Sequence, residues 1–267
     1  MRIITWNINS VRLRIDLVAK LTKAYNPDIV CLQETKCPND SFPSKAIEKL
    51  GYPHIAMNGI KGYHGVATFS RLPIVKSKIV RFCGREDGRH IETEFDAPGG
   101  PLNVHNFYVP AGGDEPDREI NEKFGHKIDF LGEMTEMFKK ARQKKTARRV
   151  LVGDLNIAPL EHDVWSHKQL LKVVSHTPLE IDLLNKVQAS HSWDDIARRF
   201  VPAEEKLYSW WSYRARDWAS ADRGRRLDHI WVTPALSDHV AGYEVVRKAR
   251  GWERPSDHAP VIMDLKL

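Results

Sequence analysis

The sequence predicts an α/β fold with two sheets at its core and helices outside, and three observations predict it. Short apolar, partly β-branched runs recur from Ile3 to Leu265 and alternate with helical patterns. Hairpin-like pairs of such runs are common, which suits a mixed two-sheet core better than a singly wound parallel sheet. No composition shift or linker divides the 267 residues, so one domain over residues 1–267 is expected.

The elements follow in order. Residues 2–8 alternate as a first strand ending at Asn7, and a helix over Ile15 to Ala24 is closed by Asn26-Pro27. Asp28 to Gln33 is a second strand that delivers Glu34 at its tip. Lys36 to Pro43 is loop-like, and Ser44 to Leu50 is a short helix stopped by Gly51. A glycine-bearing loop from Gly59 feeds Val66-Ala67-Thr68-Phe69. Strands over Ile74–Phe82, His90–Phe95 and Leu102–Val109 form an antiparallel meander, with Pro98-Gly99-Gly100-Pro101 as a turn. From Asp117 to about Lys144 runs the longest helical pattern, its apolar stripe made of Phe124, Ile128, Leu131, Met134 and Phe138.

Val150 to Val152 is then a buried strand. Alternation places Asp154 and Asn156 on one face and Leu155 in the core, while Gly153 permits close backbone approach. Leu160 to Arg199 reads as helical. Leu207 to Tyr213 is aromatic-rich, Ala215 to Gly224 is an irregular polar loop, and Leu227 to Val232 is a strand carrying Asp228. Val261 to Leu265 is the last strand, preceded by Pro255-Ser256-Asp257-His258.

Composition narrows the function classes. At 42% hydrophobic and 28% charged, the chain can form a sizeable core, and no apolar run approaches the roughly 18–20 residues of a membrane helix. The first residues enter a strand pattern at once and leave no room for a signal peptide, so a cytoplasmic protein without membrane contact is expected. Cys31, Cys37 and Cys83 show neither Cys-x-x-Cys spacing nor a disulfide framework. A net charge of +6 favours a polyanionic partner, with basic runs at Arg142–Arg149, Arg223–Arg226 and Arg247–Arg254.

The strand-end polar residues are Asn7, Glu34, Tyr108, Asp154, Asn156, Asp228, Asp257 and His258. Glycine-flanked nucleophilic serines, phosphate-binding loops and zinc-type histidine spacings are absent from the sequence. Hard oxygen ligands such as Glu34 and Asp257 suit Mg²⁺ or Mn²⁺. The set suggests phosphoester hydrolysis: charge on the phosphate must be neutralised while a base readies water, and Asp228 beside His258 would raise and orient an imidazolium. Each residue also has a plainer reading. Asp154 and Asn156 can cap a turn, His258 can be a surface histidine, and Trp210 and Trp211 can be core aromatics under a loop.

Trp6-Asn7-Ile8-Asn9, Leu32-Gln33-Glu34-Thr35-Lys36, Tyr108-Val109-Pro110, Gly153-Asp154-Leu155-Asn156, Arg226-Leu227-Asp228 and Ser256-Asp257-His258-Ala259-Pro260 together resemble, in order, the motifs of the exonuclease III family of abasic-site endonucleases. That family lies within the endonuclease/exonuclease/phosphatase superfamily. The resemblance spans the chain and implies a four-layered α/β sandwich, a single catalytic domain and a metal-dependent DNA repair phosphodiesterase. It makes Glu34 the main metal ligand with Asn7 and Asp257 close by, Mg²⁺ the cofactor (Mn²⁺ an alternative), and Asp154 the base. Asn156 would position the water and phosphate, Asp228 would hold His258, and Tyr108 would contact the phosphate or the departing oxygen. Trp210 and Leu227 would wall a pocket for a flipped abasic sugar, and Arg89 would touch the DNA backbone. Implied partners are duplex DNA with abasic sites or blocked 3′ ends, bound by a monomer.

The sequence departs from the family pattern at Ala111-Gly112-Gly113, where an asparagine is usual after Tyr-Val-Pro, and in the length of residues 215–224, so no role is carried over near Trp218. Two other classes stay open: a related phosphatase or phosphodiesterase acting on a non-DNA phosphoester such as a lipid or inositol head group, and a DNA-binding protein with a decayed site. Tyr108 and the Trp210 segment discriminate against the first, and the completeness of Glu34, Asp154, Asn156 and His258 against the second.

Overall fold

The computed structural model describes residues 1–141 and 146–267. One mixed sheet contains β1 (Arg2–Asn7), β2 (Ile29–Gln33), β3 (His54–Asn58), β4 (Val66–Ser70), β13 (Val240–Val245) and β14 (Val261–Leu265), in the order β13-β14-β1-β2-β4-β3. The other contains β5 (Ile74–Lys78), β6 (His90–Ala97), β7 (Gly100–Tyr108), β8 (Arg149–Asp154), β9 (Asp194–Asp195) and β12 (Asp228–Val232), in the order β5-β6-β7-β8-β12-β9. A two-stranded ribbon of β10 (Trp210–Trp211) and β11 (Gly224–Arg225) sits apart from both.

Both sheets share one pattern: a central parallel pair, β1/β2 or β7/β8, with antiparallel strands on either side. A parallel pair ends at the same edge. Asn7 and Glu34 therefore leave one sheet together, and Tyr108 and Asp154, which are register partners, leave the other. The antiparallel β12 starts where β8 stops, with Asp228 paired to Asp154. In the same way β14 begins beside the end of β1, which brings Asp257 and His258 to that edge.

Strand alternation sorts the core into layers. Ile3, Ile29, Val150, Val152, Ile230 and Val261 fill the space between the sheets. Ile4, Trp6, Val30 and Leu32 face outward onto Val18 and Leu21 of the helix Ile15–Tyr25. On the far side Leu151, Phe107 and Trp231 meet Phe130, Leu131, Met134 and Phe138 of the helix Glu122–Ala141 and Leu184 and Val187 of the helix Pro178–Ser190. Helix, sheet, sheet and helix make the four-layered α/β sandwich expected from the resemblance. Each fully buried aliphatic or aromatic chain in these layers contributes about 1.5–3 kcal/mol relative to exposure. Gly153 has φ +140°, and a Cβ there would lie 1.9 Å from the Phe107 carbonyl oxygen, so only glycine allows β7 and β8 to close.

Some local expectations change. Strands β3 and β13 had no counterpart in the sequence reading. Both flank their sheet as edges with partly solvated faces, so neither shows a clean apolar run. The long helix starts at Glu122, after the Asp117–Asn121 turn. In its stripe Ile128 is only half-buried, and Lys127 and Phe130 take the inward positions. The expected extension of that helix to Lys144, and the start of the basic run at Arg142, lie outside the described residues. Among the described residues no helix is long and apolar enough to cross a membrane.

Candidate active site

The edge where the four central strands end opens into a cleft of about 670 Å³. Glu34, Tyr108, Asp154, Asn156, Trp210, Leu227, Asp257 and His258 line it, while Asn7 and Asp228 are fully buried behind its wall.

Asp154 is the hub. Its carboxylate accepts from Asn7 Nδ2 at 2.9 Å, from the Asn156 backbone N–H at 3.0 Å and from Asn156 Nδ2 at 3.2 Å, and His258 Nε2 stands 3.7 Å away. Asn156 reaches this place by a left-handed turn (φ 55°) and not by strand alternation, because β8 stops at Asp154. Leu155 points into the core as expected. Asn156 Nδ2 also donates to the Val109 carbonyl at 2.9 Å, which locks its side chain.

His258 Nδ1 lies 2.8 Å from Asp228 Oδ2, and Ser209 Oγ donates to the same oxygen at 2.6 Å. The backbone N–H groups of Leu227 and Asp228 both donate to Ser209 Oγ at 3.0 Å, so the serine fixes the carboxylate's angle. Burial works against a charged imidazole here. The carboxylates of Asp228 and Asp154 outweigh it and raise His258 well above the usual histidine value. Burial also raises Asp154 above the usual carboxylate range; the imidazolium pulls the other way, and Asp228 adds to the rise. A pair with separated tendencies results: a carboxylate that accepts a proton near neutrality and an imidazolium that keeps one.

Glu34 has φ 50° and Lys36 φ 53°, and these two left-handed residues turn both side chains to the same side of buried Thr35. Lys36 Nζ sits 2.8 Å from Glu34 Oε2. The other oxygen, Oε1, accepts from Asn7 Nδ2 and from the Tyr108 hydroxyl, both at 2.9 Å. Burial opposes ionisation of Glu34, but Lys36 and Asn7 outweigh it and hold the carboxyl below its ordinary range. Tyr108 is driven well above its ordinary value by burial and by Glu34 and Asp154, so it is a neutral donor. Asp257 accepts from Asn9 Nδ2 and Trp210 Nε1, each at 3.0 Å, and is held low against its burial by His258, Asn9 and Trp210.

Two donor sets compete for a cation. Asp154, Asp228 and His258 have ligand atoms within 4.8 Å of one another. That trio is an ion-pair relay, since a protonated imidazole has no lone pair to give and Asp228 already faces it. Glu34 is the better anchor. Its Oε2 already faces an ammonium in an accessible cleft that Asp257 also lines, so two carboxylates offer the oxygen donors a hard cation prefers, while Asn7 turns its Nδ2 to Glu34 and orients it. The residues present fit a divalent metal.

Trp210 and Leu227 pack in one apolar cluster with Trp165 and Val164, and Trp210 forms a β-bridge with His258, so the aromatic wall abuts that histidine. Trp211 is buried core. Arg89, to which the resemblance gives a contact with the DNA backbone, is largely enclosed in the fold. It is 8% exposed, bonded through Nε to Asp87, through Nη1 to the Tyr108 carbonyl and through Nη2 to His64, and its guanidinium carbon lies 4.9 Å from the Tyr108 ring centroid. So enclosed a group supports Tyr108 from behind.

Four site residues were assigned no role in the sequence reading. Lys36 and Asn9 each stand two residues beyond a named one, and that spacing was a usable signal. Ser209 gave no signal. Lys127 is fully buried, with Nζ bonded to the carbonyls of Asn156 (2.8 Å) and Ala111 (3.2 Å) and to Glu180 (2.5 Å). It ties the Ala111 turn, where the family asparagine is missing, to the turn that carries Asn156.

Residues 4–258 match the profile of the Endonuclease/Exonuclease/phosphatase family. Exodeoxyribonuclease III of Haemophilus influenzae is 30% identical over 281 residues, covering 100% of each chain. An AP endonuclease from Archaeoglobus fulgidus superposes with a TM-score of 0.91 at 28% identity, and a 3′ phosphatase from Neisseria bound to product DNA hairpin with 0.90 at 29%, each pair covered in full.

Proposed function

Because the chain belongs to the endonuclease/exonuclease/phosphatase family, on its exonuclease III branch, we propose that this DNA-repair nuclease incises duplex DNA on the 5′ side of abasic sites. The same cleft would trim blocked 3′ ends, by 3′-phosphatase and 3′→5′ exonuclease action. The single observation that carries the reading is Asp154, held by Asn7 and Asn156 and facing His258, in a cleft whose next wall is Trp210 and Leu227. Chemistry and a small apolar socket are adjacent, and a base-free sugar is both easy to extrude and small enough to enter such a socket. We take residues 1–267 as one catalytic unit, working as a cytoplasmic monomer.

The family is metal-dependent, and the ion proposed is Mg²⁺, with Mn²⁺ as substitute, held by Glu34 with Asn7 and Asp257. When bound it supplies Lewis-acid polarisation of the phosphate. Asp154, raised by burial, accepts a proton from the attacking water while Asn156 aligns that water with phosphorus. The new P–O bond forms as the bond to the upstream 3′ oxygen breaks, leaving a 3′-OH. His258, kept protonated by Asp228, donates to a non-bridging oxygen as charge builds there. Tyr108, kept neutral, is the donor placed for the departing oxygen. Arg89 acts through Tyr108, by stacking on its ring and bonding its carbonyl.

The test is a duplex with one abasic analogue, incubated with Mg²⁺ or with EDTA, beside an undamaged duplex. A single Mg²⁺-dependent nick 5′ to the lesion is expected. Equal cleavage of the undamaged duplex, or a nick that persists in EDTA, would overturn the proposal.

A further inference from the structure

The cleft has a second pole of opposite charge. Arg214, Arg223 and Arg225 all line it, and none of them forms an ion pair among the described residues. The Arg223 guanidinium carbon lies 4.8 Å from the ring centroid of Trp165, and that of Arg225 lies 5.4 Å from the ring centroid of Trp210. Both tryptophans line the same cleft.

Arg225 is built into place. Its Nη1 donates to the Val174 carbonyl at 2.9 Å and to Ser175 Oγ at 2.7 Å. The segment that receives it is itself fastened. Ser175 N–H donates to both oxygens of Glu180 at 2.9 Å, Glu180 pairs with Lys127, and Lys127 bonds the Asn156 carbonyl. A run of buried bonds thus connects Arg225 to the catalytic asparagine. Part of the guanidinium is uncommitted: Nη2 makes no protein bond among the described residues, while Nε is buried beside it without a partner. A cation held over an aromatic face with its Nη2 donors free is placed to hydrogen-bond an oxyanion in the cleft.

Position argues against the reacting phosphate as this anion. Arg225 is the register partner of Trp210, and Trp210 bridges His258. Two strand spacings, about 10 Å, separate the backbones of Arg225 and His258. With Trp210 between them, Arg225 is set toward a different phosphate from the one held for reaction by His258 and Asn156.

We propose that Arg225, with Arg223 on Trp165 beside it, forms a second oxyanion subsite that reads a phosphate or carboxylate of the bound DNA strand other than the reacting phosphate. Lesion choice then depends on charge as well as on the apolar fit of Trp210 and Leu227. The subsite rests on the reading of this cleft as a DNA-incising site. Its anion has two sources in DNA, a flanking phosphodiester or an acidic substituent on the damaged sugar.

The experiment is a cycle of protein and substrate changes. Arg225→Gln keeps a donor for the Val174 carbonyl and removes the charge, and Arg223→Ala changes an exposed side chain. Both variants and the parent protein are assayed on abasic duplexes with a neutral methylphosphonate at one linkage at a time near the lesion, the scissile 5′ linkage excepted, and on neutral and carboxylate-bearing abasic analogues. At one flanking linkage, neutralisation should cost the parent about tenfold in kcat/KM and Arg225→Gln less than about twofold. If the carboxylate-bearing analogue alone shows this crossover, the substituent is the ligand. Binding of the same duplexes in EDTA supplies a readout that needs no incision. The slope of log Kd against log salt should fall by about one contact in Arg225→Gln. Equal penalties in parent and variants on every substrate, with an unchanged salt slope, overturn the subsite. A parent protein that binds in this charge-dependent way but never incises abasic duplex overturns the function reading and leaves the subsite standing.

Discussion

Asp228→Asn separates charge from geometry at His258, the proposed catalytic histidine. His258 Nδ1 and Ser209 Oγ both address Oδ2 of Asp228, while Oδ1 is buried with no partner. An asparagine placed with its oxygen at the Oδ2 position keeps both hydrogen bonds and puts its amide where the orphan oxygen was. What is lost is the negative charge. At an effective dielectric of about 20, opposite charges roughly 4 Å apart interact by about 4 kcal/mol, or about three pKa units. Asp154, 3.7 Å from Nε2, remains and restores part of that.

The sign is definite. His258 is raised in the parent protein, so removal of Asp228 lowers it and the imidazolium is lost at lower pH. The assay is kcat for abasic incision against pH, with duplex Kd measured in parallel. Activity should survive in mildly acid buffer and fall by at least about tenfold at alkaline pH, where the parent is still active, with Kd nearly constant. An alkaline limb at the same pH in both proteins would refute the role given to the pair.

Glu34→Ala should leave residual activity that high Mg²⁺ partly restores, because a site short of one ligand is weakened and not erased; if added Mg²⁺ never helps, Glu34 is not a ligand. Arg89→Ala should lower kcat, through loss of the stacking and carbonyl bond behind Tyr108, and leave the salt dependence of binding unchanged. A slope shallower by one contact would return Arg89 to the DNA surface. Trp210→Ala removes apolar contact of roughly 1–3 kcal/mol, so abasic incision should slow and discrimination against undamaged nucleotides relax, while 3′-phosphate removal is much less affected. If both activities drop by one factor, Trp210 is packing only.

How far the sequence could carry these conclusions depended on where the information lay. Apolar runs closed by a polar residue marked the ends of β1, β2, β7 and β8, and the parallel pairing of those strands makes their tips converge. Asn7, Glu34, Tyr108 and Asp154 were therefore readable as one edge. The edge strands β3 and β13 were not, because a strand solvated on part of its surface carries a diluted pattern. Asn156 was expected beside Asp154 for the wrong local reason, since a left-handed turn, and not the pleat, puts it there. The enclosure of Arg89 was not legible because its three partners, Asp87, His64 and the Tyr108 carbonyl, are brought together only by the fold. Lys127 was given no role, because its buried partner Glu180 lies 53 positions away. The four-layered sandwich came from the resemblance, and the strand pattern alone permitted it.

The central claim is that Asp154 serves the transition state and contributes little to grip. Single-turnover incision and equilibrium binding of one abasic duplex by Asp154→Asn and the parent protein test it most directly. The account predicts a rate reduced by about a thousandfold or more with Kd within about threefold of the parent. Equal losses of rate and affinity would contradict it.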